Sequence, residues 1–134
     1  MITSNVTYKG DLRTVSVHLR SGNEIITDAP LDNNGKGEAF SPTDTVATAL
    51  ASCMLTIMGV KANAKSIDIF GASADVTKTM GVDPRRITKI QINFILPFAF
   101  DLTTKTILEK AALTCPVYYS LNTDIEKDIT FKWL

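Results

Sequence analysis

"SPTDTVATALASCMLTIMGVKANAK" (residues 41–65) is the stretch on which the fold turns. Ser41 suits a helix N-cap, Pro42 the first helical position, and Asp44 the reciprocal acid of a capping box. From there the run is apolar almost all round, with small residues at Ala47, Ala49, Ala51, Ser52 and Gly59. A helix with no polar face is a buried helix. Its small side chains would let another helix or a sheet come close. A chain of 134 residues can bury a real core, yet this helix is too apolar for one small subunit to cover. Dimerisation around it is the expectation.

Upstream, "VSVHL" (residues 15–19) alternates, with Val15, Val17 and Leu19 on one side and Ser16 and His18 on the other. A second short strand centres on Ile25 and Ile26. It leads into a loop rich in Gly, Asn, Asp and Pro that runs to the long helix. Downstream, "SIDIFGASADVTKTM" (66–80) and "ITKIQINFILP" (87–97) read as strands joined by the turn "GVDPRR". Ile90, Ile92, Phe94 and Leu96 keep the two-residue period of a half-buried strand, and Pro97 stops it. "DLTTKTILEKAALT" (101–114) is a second helix with Ile107, Leu108, Ala111 and Ala112 inward. "DITFKWL" (128–134) closes the chain with Ile129, Phe131 and Trp133 alternating. Strands, a buried helix, more strands, a helix and a last strand make an α+β fold. No repeat or linker divides it, so residues 1–134 are expected to form a single domain.

Fourteen basic and fourteen acidic residues cancel, which leaves no overall field to favour nucleic acid or anionic membrane. No apolar run is expected to reach the ~20 residues that cross a bilayer. "MITSNVTYKGD" has neither the basic nor the apolar part of a signal peptide. Two cysteines are too few for a disulfide scaffold, so a cytosolic protein with reduced thiols is expected. No metal is expected either: CxxC and HExxH are absent, and His18, the only histidine, reads as a surface residue. Arg85 and Arg86 read as a solvated hairpin end. Tyr118, Tyr119 and Trp133 read as core or dimer contacts.

That leaves the two thiols. Cys53, inside the apolar helix, can be a small hydrophobe as well as a nucleophile. Cys115 stands directly before Pro116, which breaks the preceding helix and begins a new segment, "PVYYSLN". A cysteine at such a helix start is either a plain cap or a thiol whose pKa the exposed amides lower.

"FSPTDTVATALASCMLTIMG" (40–59) followed by "ILEKAALTCPVYYSL" (107–121) resembles the OsmC/Ohr family of thiol-dependent hydroperoxide reductases. The resemblance extends over nearly the whole chain and includes the opening "YKGDLR". It implies an intertwined α+β homodimer, with β-strands flanking two long central helices. It also implies an enzyme that reduces organic hydroperoxides. Cys53 would attack the peroxide and become a sulfenic acid, and Cys115 would resolve it as a disulfide. A dithiol reductant, such as a lipoylated protein, would restore the pair without a metal or organic cofactor. The family's arginine, held by an acid, falls to Arg13, with Arg20 as the fallback. Asp44 is the acidic candidate, and it is also the capping partner of Ser41. The best-characterised branch carries its glutamate one position earlier, where this chain has Thr43. Two other readings stay open. One is a dimeric binding module whose apolar crevice, gated by residues 27–40, holds a small acyl ligand. The other is a disulfide redox sensor.

Overall fold

The computed structural model describes all residues, Met1–Leu134, as two compact units, Met1–Val46 and Ala47–Leu134. The fold is mixed α+β with two three-stranded sheets.

In the first unit, β1 (Ser4–Gly10), β2 (Arg13–His18) and β3 (Glu24–Asp28) form an antiparallel sheet in the order β1-β2-β3. Strand β1 was not foreseen from the sequence. Val6, Ser16 and Ile25 are cross-strand neighbours and share one face. That face is open, because Val6 and Ile25 are 61% and 56% exposed. The buried residues of this unit are the polar Thr27, Asp28 and Ser41. At its end begins the long helix α1 (Pro42–Ala64), closed by the expected capping box. The Ser41 amide donates to Asp44 Oδ2 (2.9 Å), and the Asp44 amide donates to Ser41 Oγ (3.0 Å).

The second unit holds the hydrophobic core. Its sheet has the order β4-β5-β6, from β4 (Ser73–Gly81), β5 (Arg86–Leu96) and β6 (Glu126–Trp133). Strands β4 and β5 form the expected hairpin. Ile67 and Ile69, read as part of a strand, instead lie in the turn-rich stretch before β4 and pack on the core from there. Strand β6 pairs parallel to β5, so the chain must cross over between them. The crossover is α2 (Leu102–Ala112) followed by α3 (Pro116–Ser120). Asp101 caps α2 by accepting from the Thr104 amide at 2.8 Å.

Ile90, Ile92, Phe94 and Leu96 are all fully buried, and the Phe94 ring stacks on Phe131 at 5.1 Å. Leu50, Met54 and Met58 of α1 and Leu108 and Ala112 of α2 complete this core. Within the chain α1 therefore buries one face and not all of them, since Val60 on another face is 61% exposed. The expectation about bilayer spans was also too strict. Helix α1 has a mean hydropathy of 1.5 over 18 residues, enough to cross a membrane by length and composition. One third of that window is buried within the chain.

Candidate active site

The thiols meet in the second unit. Cys53 lies on the half-exposed side of α1, and Cys115 is fully buried. The core includes Cys115, and Cys53 packs against it. Both are free thiols, and Cys53 lies near enough to contribute to the raised pKa of Cys115.

Cys115 is the N-cap of α3, with Pro116 in the first turn and the Tyr118 amide donating to Cys115 Sγ at 3.3 Å. The helix start is where the sequence placed it. Of the two readings of that position, a plain cap and a thiol of lowered pKa, the second does not hold. Burial pushes the Cys115 thiol up, the amides of Tyr118 and Val117 oppose the shift, and the neighbouring Cys53 adds to it. A helix of five residues has little dipole to set against desolvation. Cys115 therefore holds its proton more firmly than an ordinary cysteine.

A second cluster occupies the first unit. Arg13 and Asp28 are cross-strand partners. Arg13 Nε donates to Asp28 Oδ1 (2.6 Å) and Nη2 donates to Oδ2 (2.8 Å), a two-bond fork. Nη2 also reaches Glu38 Oε2 at 3.3 Å, and the Glu38 amide donates to Asp28 Oδ2 at 3.1 Å. The loop returns to this point because Gly35 fits where nothing larger can. A Cβ there would lie 1.7 Å from the Ala29 carbonyl oxygen. The hydrogen bond and charge of Arg13 hold the Asp28 carboxyl below the usual range against the cost of burial.

The acid that grips Arg13 is therefore Asp28, a residue that the sequence reading passed over. Asp44, the candidate for that task, has its carboxylate in the capping box. The available signal for Asp28 was its place in the strand after Ile26, inward like Arg13 if the hairpin register is known. Arg20 lies exposed in the turn after β2. His18 is exposed, with Nδ1 2.6 Å from Ser21 Oγ. Arg86 folds onto its own hairpin turn and donates to the carbonyls of Val82 (3.0 Å) and Pro84 (2.9 Å). No three His, Cys, Asp or Glu side chains gather into a metal-binding group.

In the second unit a groove of about 610 Å³ runs between α1 and α2. Ile57, Val60, Ile107 and Ala111 line it together with Lys61 and Lys110. Ile57 is one turn beyond Cys53 on α1.

A family described as OsmC-like protein matches residues 35–130. No protein of curated function matches the chain. Among solved structures, a protein of Psychrobacter arcticus 273-4 is 55% identical, with a TM-score of 0.96 over 98% of this chain and 96% of that one. It is described provisionally as an osmotic stress induced and detoxification response protein. An organic hydroperoxide resistance protein OsmC of Legionella pneumophila is 14% identical, with a TM-score of 0.76 over 98% of both chains. An OsmC like protein of Mycoplasma pneumoniae is 18% identical, with a TM-score of 0.76 over 98% of this chain and 94% of that one. The last two show likeness of fold.

Proposed function

This chain belongs to the OsmC-like protein family, and on that premise we propose that it detoxifies organic hydroperoxides as a two-cysteine peroxidase. The observation that carries the reading is a half-exposed thiol, Cys53, beside a fully buried one, Cys115. A thiol that reaches solvent can meet a peroxide first, and a buried protonated neighbour is kept in reserve. The Cys53 sulfur attacks the peroxide, the O–O bond breaks, and an alcohol leaves while Cys53 becomes a sulfenic acid. The Cys115 sulfur then attacks the Cys53 sulfur, and water departs as the disulfide forms. A dithiol, a lipoylated protein being one such donor, returns two electrons and two protons. The likeness of fold to the Legionella organic hydroperoxide resistance protein supports the substrate class.

Arg13 is assigned, on the family resemblance, to the negative charge that develops on the departing oxygen, because guanidinium stays charged. Asp28 keeps it ordered, and Asp44 fixes the start of the helix that carries Cys53. We place the protein in the cytosol, where the thiols are kept reduced. We also propose a homodimer. In its support, the first unit buries only polar residues and leaves Val6, Tyr8 and Ile25 open.

The test is turnover of cumene hydroperoxide with dihydrolipoamide, run on the wild type, Cys53→Ser and Cys115→Ser. Turnover lost in both variants, with a sulfenic acid trapped only where Cys53 remains, is the expected result. A folded wild-type protein without turnover overturns the proposal. The apolar groove between α1 and α2 favours a second reading, a binding protein for a small acyl ligand. In that case native mass spectrometry finds a retained ligand in freshly purified protein.

A further inference from the structure

We infer that Lys127 is a positioning residue for Cys115: a cation on the core-facing row of β6 that fixes the short helix bearing the second thiol. The inference rests on the two-cysteine reading and adds to it a residue outside the thiol pair.

Lys127 occupies an unusual place. It is the parallel-ladder partner of Ile90, which is fully buried, and paired residues on neighbouring strands project to the same face. Lys127, Ile129, Phe131 and Trp133 therefore form one alternating row, in which the lysine alone is charged. A charge there costs free energy unless its hydrogens are satisfied. Its ammonium donates to the carbonyls of Ile125 (3.1 Å) and Asn122 (3.3 Å). It also lies over the Tyr118 ring, 5.3 Å from the centroid.

These partners bracket one segment. Tyr118 is in α3, and Asn122 and Ile125 belong to the connection from α3 to β6. A helix of five residues is far too short to hold itself together in water. Its order must come from outside contacts, and Lys127 supplies one at Tyr118. Tyr118 is also the residue whose amide is bonded to Cys115 Sγ. The ammonium thus grips the ring of the residue that orients the sulfur. Edge strands often carry an inward charge to discourage pairing with other chains, but that role requires no contact with Tyr118.

The chemistry affected is the second step alone, in which the Cys115 sulfur displaces water from the Cys53 sulfenic acid. The first step leaves Cys115 untouched. The experiment is a single turnover of reduced protein with cumene hydroperoxide. Sulfenic acid is read by dimedone trapping and the disulfide by intact mass, in the wild type, Lys127→Met and Lys127→Arg. Lys127→Met is expected to form sulfenic acid at the wild-type rate and the disulfide about tenfold more slowly, the loss of one cation–ring contact with its carbonyl bonds. Lys127→Arg is expected to restore most of that rate, since guanidinium also stacks on rings and donates to carbonyls. Should Lys127→Met not fold, Tyr118→Leu removes the ring and keeps the amide, and the same separation of the two steps is expected. An unchanged disulfide rate in the variants overturns the inference. So does an equal slowing of both steps, which would mean general damage. A wild-type protein that forms sulfenic acid but never the disulfide overturns the two-cysteine reading itself, and this inference with it.

Discussion

Arg13 and Asp28 face each other across the β2–β3 ladder and are joined by two bonds of 2.6 and 2.8 Å. The arginine holds the Asp28 carboxyl below its usual range. Because the folded carboxylate titrates lower than the unfolded one, its stabilising effect is complete above the unfolded pKa, about 3.9. The effect is lost as pH falls through the lower folded value. Asp28→Asn should therefore lower the melting temperature at neutral pH and matter less and less in acid. A difference from wild type that stays constant down to about pH 3 would contradict this account.

Cys115 makes the opposite prediction. Burial raises its pKa in the folded protein, so folding is favoured fully below the unfolded thiol value, about 8.5, and less as pH rises through the folded value. With reductant present, wild type should lose more stability between neutral and alkaline pH than Cys115→Ala does. Alkylation gives a second view of the same burial: iodoacetamide should modify Cys53 well before Cys115. Equal labelling of the two native thiols would contradict it.

The capping box gives a third expectation. Ser41 is buried, and its hydroxyl oxygen accepts from the Asp44 amide while the Asp44 carboxylate accepts from the Ser41 amide. Ser41→Ala should cost roughly 1–2 kcal/mol, measured by urea unfolding with Trp133, the single tryptophan, as reporter. Asp44→Ala should also destabilise. If Asp44→Ala left stability unchanged and removed peroxidase turnover, Asp44 would be a reacting group and not a cap.

The open face of the first sheet provides a fourth. Ile25 is 56% and Val6 61% exposed on one face, with Ser16 between them, and a partner subunit would cover these apolar side chains. Ile25→Lys should weaken the dimer, read as a shift towards monomer in sedimentation at low protein concentration. A wild-type protein that is monomeric at every concentration would remove the premise.

Local chemistry was legible in the sequence, and pairing across the chain was not. The cap of α1 and the row Ile90, Ile92, Phe94 and Leu96 could be read because the signal lies within a few residues. The same local signal misled at Ile67 and Ile69, which alternate like a strand. There the ladder begins only at Ser73, opposite Ile95, after Gly71 at φ 91°. Strand β1 was missed because Val6 and Tyr8 stand among polar residues, and only pairing with β2 makes that stretch a strand. Asp28 escaped notice for a related reason: its contact with Arg13 depends on the register of a hairpin. The expectation that Cys53 and Cys115 act together came from family resemblance, since nothing in the spacing of two thiols brings them together. Between a plain cap and a thiol of lowered pKa at Cys115 the sequence could not decide, because it displays a helix start and conceals the burial that raises the pKa.

The parallel pairing of β5 and β6 has one more consequence. It obliges the chain to travel through α2 and α3, and Cys115 lies between them while Cys53 lies on α1. A bond between the two sulfurs would tie off a loop of roughly sixty residues containing β4, β5 and α2. Closing a loop of that size restricts the unfolded chain by roughly 4 kcal/mol on a chain-entropy account. Oxidation would then be legible as heat resistance, the oxidised chain melting well above the reduced one.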